Sequence, residues 1–193
     1  MRPNTAPIAR LLAAAAVALG CLAVGASATV VTTCRAAADS DARVDYSFCV
    51  AELGNHRESP DADTWGLAKV AALTGVNNAD DAVYDAKALV AKQPGGPTRA
   101  AARPPDARKR AALGQCRRLY FDAELAFAGA YDEINAREYA AGKEMAAEAV
   151  ALARRCDDVF AEAGIPSPLA WRGVYAARIG AVCTAIAGLI NIK

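Results

Sequence analysis

Few side chains in this sequence could do chemistry: six cysteines, one histidine and a scatter of carboxylates. Cys21 lies in an apolar run near the N-terminus, and Cys34, Cys49, Cys116, Cys156 and Cys183 follow it. No CxxC occurs, and His56 sits in the polar stretch Gly54-Asn55-His56-Arg57-Glu58, so no metal site is expected. His56 has no serine or cysteine partner in a recognisable nucleophile motif. Cys183 has no charged sequence neighbour to activate it. A di-iron bundle needs several inward glutamates and histidines, and one histidine is too few. Asp122, Glu124, Asp132, Glu133, Glu144, Glu148, Asp157 and Asp158 read as solvated helix faces. No catalytic residue is assigned and no cofactor is expected. Cysteines can instead act as staples. Cys116 and Cys156 each lie inside an Ala-rich stretch whose apolar residues recur every three or four positions, and the pattern breaks once between them, near Asn135-Ala136. That is the layout of two antiparallel helices. If the two thiols oxidise to each other, the helices are held side by side.

The elements that must position these residues begin after a leader. Arg2 and Arg10 precede or flank the apolar run Leu11 to Leu22, and Gly25-Ala26-Ser27-Ala28 ends in small residues. This is the pattern of a secretory signal peptide, residues 1–28, cut after Ala26 or Ala28. The run is too short for a membrane span. Removing 28 of 193 residues leaves 165, one ordinary domain. Removing Arg2 and Arg10 takes the formal charge from +1 to −1. The cluster Arg108-Lys109-Arg110 with Arg117-Arg118 is local, so nucleic acid is not an expected partner. No membrane span is expected in the mature chain. Export makes disulfides the default use of cysteine; of the five that remain, four can pair and one is left over.

Along the mature chain, Thr32 or Thr33 caps a short helix, Cys34 to Asp39, and a second runs from Arg43 to Leu53. A bond between Cys34 and Cys49 would clip the two into a hairpin, residues 29–54. Ser59-Pro60-Asp61 opens a long helix to about Lys92, in which Gly75 and Asn77-Asn78 are candidate bend points. Asn77 and Asn78 are expected to face solvent or a local polar contact. Residues 93–105 read as a Pro/Gly loop, with Asp106 capping the next helix. Leu113, Cys116, Tyr120, Ala123, Phe127, Ala130 and Ile134 form one seam, and Met145, Ala149, Leu152, Cys156 and Val159 another. Gly164 ends that helix and Ser167-Pro168 caps the last. The last helix carries Ala176, Ile179, Cys183, Ile186 and Ile190 on a wide apolar face. It is expected to be the most buried, with Cys183 a buried free thiol. The sum is all-α: an up-down-up-down four-helix bundle, residues 59–193, behind an N-terminal helical hairpin.

Cys34 with Tyr46-Ser47-Phe48-Cys49-Val50-Ala51-Glu52-Leu53 resembles the N-terminal signature of the plant invertase and pectin methylesterase inhibitor family. Ala62-Asp63 through Gly66-Leu67-Ala68 resembles the start of its first bundle helix. Gln115-Cys116, Tyr120, Tyr139-Ala140, Ala146-Ala147 and Cys156 resemble its central helix pair, and Ser167-Pro168-Leu169 with the Ile186 to Ile190 tail its last helix. The resemblance implies the disulfides Cys34–Cys49 and Cys116–Cys156. It implies a non-catalytic extracellular or vacuolar plant protein that binds one enzyme and blocks its cleft.

The expected function is therefore a secreted inhibitor, located in the apoplast or cell wall and monomeric when free, that binds a pectin methylesterase 1:1. The alternatives are an acid invertase inhibitor, and a small-ligand carrier or scaffold without inhibition. Invertase inhibitors of the family carry Pro-Lys-Phe in the turn between the second and third bundle helices; the matching residues here are Arg137-Glu138-Tyr139, of which only the aromatic agrees. The candidate target-binding residues are Asp122, Tyr131, Glu133, Arg137, Glu138, Tyr139 and Glu144.

Overall fold

Six helices account for most of the residues described by the computed structural model, 25–92 and 104–190. Most of the leader and the loop 93–103 lie outside the described residues. Helices α1 (Gly25–Ser40) and α2 (Tyr46–Gly54) form the N-terminal hairpin. Helices α3 (Thr64–Ala91), α4 (Pro104–Asn135), α5 (Tyr139–Glu162) and α6 (Ala170–Ile190) form the bundle. Each bundle helix packs on two others: α3 on α4 and α6, α5 on α4 and α6. The hairpin leans on α6. The arrangement is the expected up-down-up-down bundle with a hairpin extension.

The seams are where the three–four rhythm puts them. Leu113, Cys116, Tyr120, Ala123, Phe127, Ala130 and Ile134 of α4 are all buried. So are Ala149 and Cys156 of α5, with Leu152 and Val159 at the margin. In α6, Gly173, Ala176, Ile179 to Cys183 and Ala185 to Ala187 are buried. This helix has the length and hydropathy of a membrane span, yet 56% of its apolar window is covered by the rest of the protein. It is a core helix. Alanine and glycine at the seams let the helices approach closely. A Cβ added at Gly75 would meet the Phe127 ring at 2.5 Å, and one added at Gly142 would meet Ile134 at 2.7 Å. Gly75 is thus a docking point for α4 and interrupts nothing: α3 runs through it as one helix.

Two disulfides fasten this frame. Cys34–Cys49 joins α1 to α2 with Cα atoms 5.7 Å apart. Cys116–Cys156 joins α4 to α5 at 4.8 Å. Cys183 is free and fully buried. Burial alone pushes its thiol pKa up to about 12.

The helix ends differ from the sequence expectations, and the reasons are local. The first helix begins at Gly25 and not at Cys34, because Val30, Thr33, Cys34 and Ala37 make one buried stripe. Thr32 therefore lies inside it, its hydroxyl donating to the Thr29 carbonyl at 3.2 Å. Helix α2 starts at Tyr46 because Asp45 caps it, accepting from the Phe48 amide at 3.0 Å. Ser59 does not cap α3. Asp63 does, accepting from the Gly66 amide at 2.8 Å, while Ser59 is buried in the preceding turns. Helix α4 takes in Pro104, Pro105 and Asp106 as its first turn, where proline needs no hydrogen-bond donor and an acid suits the helix dipole. Ser167 makes a turn one step before α6, accepting from the Leu169 amide at 3.2 Å. Asn77 is exposed, but Asn78 is not: it is 4% exposed and its amide donates to the Arg172 carbonyl on α6 at 3.2 Å.

Candidate functional site

The turn between α4 and α5 is built by its own backbone. The Arg137 amide donates to the Ile134 carbonyl at 3.1 Å and the Glu138 amide to the Glu133 carbonyl at 2.8 Å. This pair of bonds is a Schellman closure, which requires a left-handed residue just past the helix end. Here that residue is Arg137, at φ +71°. Helix α5 ends with the same pair of bonds, but its left-handed position is filled by Gly164 at φ +68°. A side chain in that conformation costs about 1 kcal/mol relative to glycine. At the first turn the chain carries that cost and keeps an arginine.

A tryptophan from α3 explains where the arginine goes. The Trp65 indole N–H donates to the Ile134 carbonyl at 2.8 Å, tying α3 to the end of α4. The Arg137 guanidinium lies 4.0 Å from the centre of the Trp65 ring. Lys69, one turn along α3, places its Nζ 3.6 Å from the same ring and 5.6 Å from that of Tyr131. It also donates to Asn135 Oδ1 at 3.2 Å. The Arg137 guanidinium donates to the Tyr139 hydroxyl at 3.1 Å. Two cations and three aromatic rings thus share one end of the bundle, each cation–π contact adding about 0.5–1 kcal/mol at an exposed site.

Of the residues proposed from the sequence, the structure brings Tyr131, Arg137 and Tyr139 into this cluster. Glu138 is exposed beside them at the N-cap of α5, and its side chain makes no capping bond. Glu133 sits in the last turn of α4. Glu144 is exposed on α5, about 8 Å along from Tyr139. Asp122 is not part of the cluster; it lies about 20 Å back along α4 from Asn135, in a groove with Arg118 and Phe121. Trp65, Lys69 and Asn135 were not singled out as site residues. Nothing local in the sequence pairs Trp65 with a turn almost seventy residues later.

A second polar group fixes α6 to α3 and the hairpin. Arg172 donates to Asp81 and Asp85, each at 2.9 Å, and stacks 3.9 Å from the Trp171 ring. Arg178 donates to Asp45 at 2.6 Å and covers the Phe48 ring at 4.1 Å. Hydrogen bonds from Ser47 and the Phe48 amide, with Arg178, hold Asp45 down to about 2. Tyr175 donates to Glu52 at 2.5 Å, and its hydroxyl pKa is raised, first by burial and then by that carboxylate. Deeper in, the Tyr120 hydroxyl and Asp157 Oδ1 are buried without partners among the described residues. Burial raises the Asp157 pKa, with the Ser167 hydroxyl pulling the other way. These groups are dispersed. Among the described residues no set of three histidines, cysteines or carboxylates is placed to hold a metal.

A stapled bundle whose polar groups clamp helices together, and whose most elaborate surface is an aromatic and cationic turn, defines a rigid binding protein. The chain belongs to the plant invertase/pectin methylesterase inhibitor family, whose model matches residues 28–186. It is 55% identical over 169 residues to pectinesterase inhibitor 8 of Oryza sativa subsp. japonica, covering 86% of each chain. It is 40% identical over 182 residues to pectinesterase inhibitor 12 of the same plant, covering 93% of this chain and 83% of that one. A candidate invertase inhibitor of Platanus orientalis is 26% identical over 161 residues, 82% of this chain and 88% of its own. Membership places the protein among inhibitors and not among enzymes.

Proposed function

We propose that the protein is a secreted inhibitor of pectin methylesterase that binds the enzyme 1:1 and occludes its active-site cleft. The observation that carries this reading is the 55% identity to a rice pectinesterase inhibitor across 86% of both chains. The family match begins at residue 28, past the apolar run Leu11 to Leu22 of the leader. Two disulfides suit the oxidising route to the apoplast or cell wall.

The contact surface centres on the α4–α5 turn. Arg137, Glu138 and Tyr139 present the turn, Tyr131 and Glu133 extend it along α4, and Glu144 along α5. Asp122 would contact the enzyme only if the interface runs the length of α4. The staple Cys116–Cys156, the Trp65 bond and the Schellman closure fix this surface before binding. Less ordering entropy is then lost on association. The departure from Pro-Lys-Phe at 137–139 and the weaker 26% likeness set invertase second.

The test is direct. The oxidised protein is titrated against a plant pectin methylesterase and, in parallel, a cell-wall invertase at weakly acidic pH. Loss of esterase activity at a 1:1 ratio with invertase untouched is expected. Inhibition of invertase alone would overturn the choice of target.

A further inference from the structure

The basic cluster of α4 lies away from the α4–α5 turn. Arg110, Arg117 and Phe121 follow one another at helical spacings of seven and four, so they line one face of α4. Across from them α3 contributes Val83, Lys87 and Val90. Between the two helices lie two adjoining hollows of about 550 Å³ and 260 Å³ that share Lys87 and Arg117. Arg118 lines the first and Arg110 the second. Four cations therefore border one groove, against a single acid, Asp122. Among the described residues none of the four cations has an ion-pair partner, so their N–H donors are open to a ligand.

One exposed aromatic ring, Phe121, lines the groove, and a second, Tyr84, stands beside Lys87 at its edge. Phe121 is 51% exposed and Tyr84 is 61% exposed. Lys87 Nζ lies 4.9 Å from the Tyr84 ring centre. The floor is apolar and partly empty: a Cβ added at Gly114 would meet nothing within 4 Å. Beyond Phe121 the sign reverses. Glu124 faces Asp80, and burial together with that aspartate raises its pKa. The positive stretch thus has a defined end.

We infer that this groove binds a polyuronate, a polysaccharide whose sugar rings carry free carboxylates. Arginine meets carboxylate through paired N–H donors, and an unpaired guanidinium keeps all of them. Exposed aromatic rings offer flat apolar faces to the C–H faces of sugars. A flexible acidic peptide would satisfy the charges but leave Tyr84 and Phe121 without purpose. The choice of uronate rests on the esterase-inhibitor reading, because removal of methyl esters from pectin is what exposes carboxylates; the charge of the groove does not rest on it. Bound there, the inhibitor gathers on wall polymer that the esterase has already processed, with the α4–α5 turn at the other end of α4 left free.

The experiment uses the whole oxidised protein without enzyme. Oligogalacturonate, the same oligomer fully methyl-esterified, and dextran sulfate are titrated by calorimetry at low and physiological salt. Binding of oligogalacturonate is expected, at least tenfold tighter than its methyl ester and than dextran sulfate, and weaker at the higher salt. The double variant R110Q/R117Q should lose at least tenfold. Gly114→Leu puts a side chain into the floor at a position whose Cβ would meet nothing within 4 Å; it should lose binding while its thermal midpoint holds. Both variants should inhibit the esterase as the parent does. Equal affinity for ester and acid, equal affinity for dextran sulfate, or full binding by Gly114→Leu and the double variant each overturns the proposal. Polymer binding by a protein that fails to inhibit the esterase would leave the groove standing and remove the esterase reading instead.

Discussion

Arg137 is the residue at which local stability and surface chemistry disagree. Its φ of +71° is one that glycine adopts without cost, as Gly164 does at the equivalent position after α5. A surface in which strain is kept is a reasonable place to look for function. Arg137→Gly should therefore separate the two properties. The backbone gains about 1 kcal/mol and the cation–π contact with Trp65 loses about as much, so the thermal midpoint should change little. Esterase inhibition should weaken at least tenfold. A melting curve beside an inhibition titration checks both, and a variant that still inhibits fully would take the turn out of the interface. At this scale the sequence was only half legible. Arg137 and Tyr139 stand two residues apart in the turn and could be picked out. Trp65 and Lys69 could not, because their relation to the turn exists only once α3 lies against α4.

At the scale of helices the reading was more complete, because burial follows periodicity. The α4 seam from Leu113 to Ile134 is buried at every position that the three–four rhythm named. The ends were less legible. Ser59 and Asp63 are both good caps, and the choice between them depends on whether the turns 55–62 bury the serine, which they do. Thr33 looked like a helix start because hydroxyls favour caps, but its place on the buried stripe with Val30 and Ala37 put it inside. The staple between α4 and α5 has a calculable effect. Closing a ring with a sequence separation of 40 constrains the unfolded chain by about 4 kcal/mol in the loop-entropy picture. The double variant C116A/C156A should lose stability toward that figure in denaturant titration. Inhibition at low temperature should survive in part, since the Schellman closure and the Trp65 bond remain.

For the molecule as a whole, two carboxylates set opposite pH trends. Asp45 is held down to about 2, so its contribution is present above the ordinary carboxylate value of about 3.9 and fades as pH falls toward 2. Asp157 is raised by burial, so its contribution is present below that ordinary value and is lost as pH rises through its folded pKa. Together they favour solution just above the ordinary carboxylate value. Asp157→Asn should weaken the second trend: as pH rises from about 3.9, the variant's thermal midpoint should fall less than the parent's. An unchanged difference would show that Asp157 titrates as freely in the folded protein as in the unfolded one. The buried thiol of Cys183 carries a different consequence. A thiolate attacks disulfides, and this chain holds two of them within the same fold. While the core is shut the thiol is neither ionised nor within reach of a reagent. Each opening of α6 from α3 frees it to exchange partners with the bridges. The correct bridge pattern is thus guarded by the closed core: for Cys183 to reshuffle the bridges, that motion must come first.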